Sequence, residues 1–371
     1  TSQALSTSTP VDVSARLGVA RWRTQASGSK GPGSAHEALL IGASDESAYR
    51  ATAFAHLGLV CAANGDDLRS KKCHARALAL DPTDPTAGPI VCSEAIASGE
   101  DAKATSICRK ALAMDSRCSW AANRLAPLCA QSGDHEGAIL ALQAVLRVSP
   151  RNSGAWEALG ASYNVLGRHS AALRAFEKAM ELSDEDGEGI RPFASAQTGH
   201  ISLTLGSSVE AVDAYEKALS DGVERVAALF GLASSHLYYA KGALKWGAPG
   251  RAVESLRAAQ VAAERVVQLV GDKATATVCK LLGDVLFLSA RVNDPSAGKD
   301  FKVMLEQRKM AATGAVRAYE RAVSVKRDQP ARWRDLITSI KLERDIDRLR
   351  GDVESVKMLE AKALETALEY L

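Results

Sequence analysis

Residues 152–182 read NSGAWEALGASYNVLGRHSAALRAFEKAMEL, and this stretch decides the fold. Trp156, Leu159, Gly160 and Tyr163 recur at three- and four-residue steps, and Ala172, Phe176 and Ala179 do the same. Such spacing puts each set on one face of an α-helix. The small residues let two helices meet closely, and the large ones fill the gap between them. Weaker copies of the same pattern return thirty-four residues at a time.

That period is the signature of a tetratricopeptide repeat (TPR), a pair of antiparallel helices that stacks on its neighbours. With the first repeat position at residue 51, the register advances to 85, 119 and 153 without insertion. Leu57, Gly58, Ala77 and Pro82 take the expected places in the first unit, and Val91, Cys92, Ala104 and Ala111 in the second. Leu125, Ala126, Ala138 and Pro150 do so in the third. Small residues at the eighth, twentieth and twenty-seventh places permit close approach, while larger ones at the fourth, seventh, eleventh and twenty-fourth act as knobs. Proline near the end of a unit stops one helix without disrupting the next.

The register slips by five residues after 186 and resumes at 192 with Gly199, Ala211, Tyr215 and Ala218. A further unit starts at 226, and the stretch Lys241 to Gly250 displaces its second helix. Leu281, Leu282, Gly283 and Leu286 mark the next first helix. A polar loop from Arg291 to about Asp300 separates it from a partner carrying Ala315, Tyr319 and Ala322. Trp333 and Leu336 open a last first helix, and 346–371 reads as a C-terminal amphipathic helix. At the other end, 1–10 reads as a flexible end, and 11–50 as a degenerate helix pair around the loop Gly28 to Gly33. Four regular units at 51–186 and insertion-bearing units at 187–345 complete the expected organisation. The fold class is all-α: a superhelical TPR solenoid of eight to nine units, since strand alternation persists nowhere.

Composition agrees with helices. Hydrophobic residues make up 46% of the 371, enough for a core, but aromatics only 5%, so Ala and Leu carry the packing. The net charge of +2, from 46 basic and 44 acidic residues, provides no global field for nucleic acid or an anionic membrane. Seven cysteines form no CxxC pair, and two, Cys92 and Cys108, fall on small or apolar repeat positions. They read as reduced core thiols of a cytoplasmic or nuclear protein. No apolar run reaches the length of a membrane span, and Thr1 in place of Met points to a fragment of something longer.

Neither catalytic residues nor metal or cofactor ligands emerge. Gly28 to Gly33 includes a lysine but lacks the order and preceding strand of a phosphate loop. The seven histidines have no partners at zinc spacing, and Asp184 to Glu188 lacks the alternation of a calcium loop. A carboxylate clamp for a chaperone tail is missing too, because Asn123 and Pro127, Glu157 and Ala161 hold the fifth and ninth places. What remains is a concave surface of first helices. Trp120, Asn123, Glu157, Asn164, Phe230, Tyr238 and Tyr239 are its candidate partner contacts, since interface energy concentrates in aromatic anchors.

Several stretches resemble one TPR scaffold in particular. Asn152 to Leu182, Leu203-Thr204-Leu205-Gly206-Ser207, Gly231 to Ala262 with its insert Gly242 to Ala248, Lys280 to Asp284, and Met310 to Ala322 are similar to the scaffold subunit of the Ski (superkiller) complex. The order and spacing match its plant and green-algal type over about residues 50–345. The resemblance implies a non-catalytic scaffold that assembles an RNA helicase and WD-repeat subunits. It also implies indirect work with the exosome in 3′-to-5′ cytoplasmic mRNA decay. No cofactor, small-molecule substrate, membrane or direct nucleic-acid contact is expected. The alternatives from the residues themselves are a TPR adaptor in another pathway and the regulatory arm of an enzyme whose catalytic domain lies elsewhere.

Overall fold

The computed structural model describes residues 50–187, 189, 191–292 and 301–370. The expectations for residues 1–49, the Gly28 to Gly33 loop among them, and for 293–300 lie outside these. The described residues form sixteen α-helices, one short 3-10 turn at Gly271–Lys273 and no strand. The all-α TPR architecture expected from the period is therefore present. It is divided into two compact units, Thr1–Leu182 and Ser183–Leu371.

In the first unit the helices are α1 (Arg50–Ala63), α2 (Asp67–Leu80), α3 (Ala87–Ala97), α4 (Asp101–Met114), α5 (Ser119–Gln131), α6 (His135–Val148) and α7 (Ser153–Val165). The eighth, α8 (His169–Asp186), begins in this unit and runs past its boundary. Each first helix is ended by the same device. Gly65, Gly99, Gly133 and Gly167, thirty-four residues apart, adopt φ values of 80, 73, 80 and 70°, where a side chain would be strained. The next residue then returns its N–H to the carbonyl five residues back, as in Asp66 to Cys61 at 2.9 Å and Asp134 to Cys129 at 2.8 Å. This Schellman arrangement satisfies helix-end carbonyls and reverses the chain. The same turns start the second helices. Asp66 and Asp134 accept from the N–H groups of Arg69 and Gly137 at 3.1 and 2.9 Å.

The pairs are held by one recurring contact between the eighth and twenty-fourth positions. A Cβ added at Gly58 would come within 2.4 Å of the His74 ring, and one at Gly160 within 2.8 Å of the Phe176 ring. Glycine is needed there because the aromatic ring occupies the space of a side chain. In the second repeat the pair is Cys92 and Cys108, fully buried with their sulfurs 3.6 Å apart. All seven thiols are free. Burial raises the Cys108 thiol well above its usual range and leaves it protonated, so it acts as a small hydrophobe.

The second unit contains α9 (Pro192–Thr204), α10 (Ser208–Leu219), α11 (Val226–Lys245), α12 (Pro249–Val270) and α13 (Ala276–Arg291). It ends with α14 (Phe301–Val325), α15 (Pro330–Arg350) and α16 (Val353–Tyr370). The glycine-ring contact persists at Gly199 on Tyr215 and at Gly283 on Tyr319. From α11 onward, however, the helices are longer, with 16–25 residues. Lys241–Lys245 continue α11, the turn follows at Trp246 to Ala248, and Pro249 opens α12 at a position where its missing N–H costs nothing. Residue 346 lies inside α15, with Ile346 buried, and the break comes later at Gly351 with φ 79°.

Polar groups also enter the long pairs. Tyr319 donates to Asp284 at 2.6 Å, and Lys280 bridges Asp284 and Asp335 at 3.3 and 2.5 Å. Deeper in, Lys309 pairs with Glu343 at 3.2 Å and with the fully buried Asp347. Thr313 adds a hydrogen bond to Glu343 at 2.5 Å. Such groups are held together because breaking one partner strands a buried charge.

Two outcomes test this packing. Gly160→Val should lower the unfolding free energy by about 1–3 kcal/mol through overpacking against Phe176, read by urea titration. His74 gives a pH dependence. Burial lowers its pKa from the usual value, with Glu94 and Asp84 opposing that shift without reversing it. A depressed pKa means the stability is present above about pH 6.5 and is lost as the pH falls, by up to about 1.4 kcal/mol per pH unit. His74→Phe should flatten the stability loss between neutral and mildly acidic pH. An unchanged slope would mean that His74 is not the group responsible.

Candidate interaction surface

A groove of about 500 Å³ opens between α5 and α7 in the first unit. Asn123, Ala126, Pro127 and Ala130 form one wall, and Ala158, Ala161 and Val165 the other. It is open because these outward positions are small or apolar, so neighbouring first helices leave a channel between them. Asn123 and Pro127 are exposed along it. Another recess, of about 700 Å³, lies between α6 and α8, with Trp156 and Tyr163 as its floor and Arg147, Arg174 and Lys178 at its rim. In it Gln143 donates to the Tyr163 hydroxyl at 3.4 Å.

The candidate residues do not share one fate. Trp120 lies half-buried over Gly88, where a Cβ would be 2.2 Å from its ring, and its indole N–H donates to the Thr83 carbonyl at 3.1 Å. Gly88 occupies the fourth place of its own repeat, where Trp156 stands in the fourth repeat. Trp120 thus fills a space that its neighbour's glycine leaves open. Glu157 and Asn164 are half-buried on α7, and Asn164 meets the His169 ring at 3.2 Å. In the second unit Phe230 packs against the core of α11, α12 and α13. Tyr239 is half-buried, while Tyr238 keeps half its surface exposed.

Tyr238 and Tyr239 line a second-unit groove of about 780 Å³ at the α11–α12 turn. Lys241, Lys245, Trp246 and Arg251 share it. Trp246, exposed over 89% of its surface, was not among the sequence candidates. Its signal was available as an indole beside Gly247 in a basic, non-repeat stretch.

Acid–base chemistry is sparse. Burial lowers the pKa of His236, with Glu216 opposing, and raises the thiols of Cys73, Cys118, Cys129 and Cys279. Among the described residues no group of three or more His, Cys, Asp or Glu side chains could hold a metal ion. No described helix is long and apolar enough to cross a membrane.

No family model and no curated protein matches the chain. Solved structures similar to it include a MamA protein, 22% identical over 46% of this chain and 91% of that one, with a TM-score of 0.39. A tetratricopeptide repeat protein from Parabacteroides merdae is 16% identical over 78% of this chain and 98% of its own, at 0.42. Pseudomonas aeruginosa pilF is 21% identical over 59% and 91%, at 0.41. The fold assignment rests on this chain's own helix pairs and thirty-four-residue register.

The placement of Trp120 predicts a stability effect. Trp120→Ala should cost about 3 kcal/mol and Trp120→Phe, which loses the indole hydrogen bond, about 1 kcal/mol, both read by thermal or urea unfolding.

Proposed function

We propose that the chain is a non-catalytic scaffold that holds other proteins through the grooves between its helices. The observation that carries this reading is the channel between α5 and α7, about 500 Å³ and walled by small and apolar residues with Asn123 beside them. A channel of that composition suits an extended segment, whose side chains fill the apolar stretches while its backbone finds a polar group. Exposed Tyr238 supplies the kind of aromatic that anchors interfaces.

The narrower form of the proposal is a Ski-complex scaffold that assembles an RNA helicase with WD-repeat proteins and works indirectly with the exosome. Its support is the sequence resemblance, which includes the departures from repeat spacing around Lys241 to Gly250 and Arg291 to Asp300. An adaptor in another pathway would use the same grooves, and so would the regulatory arm of an enzyme.

Affinity purification of the full-length protein from its own cells, followed by mass spectrometry, separates these readings. The Ski reading expects an RNA helicase and WD-repeat proteins in comparable amounts. Recovery of other proteins alone would replace it with a different adaptor role, and recovery of none would remove the scaffold reading itself.

A further inference from the structure

The groove at the α11–α12 turn combines three features that the stacking of helices does not require. Lys241, Lys245 and Arg251 line it without an aspartate or glutamate among the lining residues. None of the three takes part in an ion pair among the described residues. Lys245 sits in the last turn of α11, where a helix dipole favours a cation in any case. Arg251 sits in the first turn of α12, where the dipole disfavours one. A cation retained there, close to two further cations, lowers its free energy when an anion occupies the groove.

Backbone donors add to the field. Gly206, in the turn before α10, and Ser208, its first residue, belong to the lining, and α12 begins beside the same groove. Neither Ser207 nor Ala248, the residues before these helices, caps its helix with a side chain. N–H groups at both helix starts therefore remain available to an acceptor.

The third feature is apolar. Trp246 has 89% of its surface exposed and Tyr238 half of it, while Val209, Ala243 and Leu244 line the groove. The Tyr238 hydroxyl reaches across to within 3.7 Å of the position a Cβ would take at Gly206, joining the two walls.

We propose that this groove docks an acidic peptide segment that carries an aromatic or large aliphatic side chain. The carboxylates match Lys241, Lys245 and Arg251, and the apolar side chain lies against Trp246 and Tyr238. A single-stranded nucleic acid would share the stacking but needs a longer cationic track to bind tightly, and three cations in one short groove neutralise few phosphates. The apolar lining from Val209 and Leu244 is also wasted on a phosphate backbone. This deepens the scaffold reading and rests on it, by naming the chemistry of one partner segment.

The test is fluorescence anisotropy with the whole chain and a labelled synthetic peptide, Asp-Glu-Asp-Phe-Glu-Asp-Leu. Its controls are an amide counterpart, with every acid replaced by Asn or Gln, and a labelled oligouridylate of equal charge. The acidic peptide should bind, weaken at high salt and lose roughly tenfold or more in affinity with Lys241→Glu plus Lys245→Glu, as charge reversal predicts. Trp246→Ala should weaken it several-fold, and the amide counterpart should not bind. These side chains are exposed, so circular dichroism should be unchanged. Failure of the peptide to bind, indifference to the variants, or tighter binding of the oligouridylate would each overturn the inference. If the full-length protein still captures protein partners in that case, the scaffold reading stands and only this groove loses its assignment.

Discussion

Five of the helix pairs depend on how closely their two helices can approach at the eighth repeat position. Gly58, Gly160, Gly199 and Gly283 each lie under a ring supplied by the partner helix: His74, Phe176, Tyr215 and Tyr319. The contact sets the spacing within a pair and thereby the width of the grooves between pairs. Where no glycine is available, smaller partners substitute, as with the touching sulfurs of Cys92 and Cys108. The chain keeps the distance and varies the chemistry.

Much of this was legible because it is local and periodic. Gly58 and Gly160 stand at the eighth place of units counted from 51 and 153, and Trp156 at the fourth place of its own. The turn glycines Gly65, Gly99, Gly133 and Gly167 were not singled out in the sequence, although their interval of thirty-four residues carries the signal of a repeated positive φ. Trp120 was a different matter. Its burial depends on Gly88 in the previous repeat, and a one-residue-at-a-time reading does not couple the two. The basic groove was hidden for the same reason. Gly206 and Ser208 are remote in sequence from Trp246 and Arg251, and only the packing of α10, α11 and α12 joins them.

The two units also solve the burial problem in different ways. The α3–α7 region relies on alanine, leucine and cysteine in one continuous apolar cluster. The long helices α14 and α15 admit Lys309, Glu343 and Asp347 into their contact. A buried ion pair of this kind contributes little net stability against an apolar replacement, but it penalises any shift in register that would separate the charges. Longer helices offer more wrong registers, so a polar lock has more to exclude there than in the short pairs.

The equal spacing of the left-handed glycines has an evolutionary consequence. A duplication or deletion of thirty-four residues copies or removes one complete turn, one cap and one close contact together, and the array closes without strain. Any other length change must be absorbed inside a pair or where one pair passes to the next, as in the five-residue slip after 186. The extension of α11 through Lys241–Lys245 shows one way of doing so, with α12 running to twenty-two residues beside it. Growth of this chain by whole repeats therefore copies turns and contacts unchanged, while growth by other lengths makes new surface such as the exposed Trp246 turn.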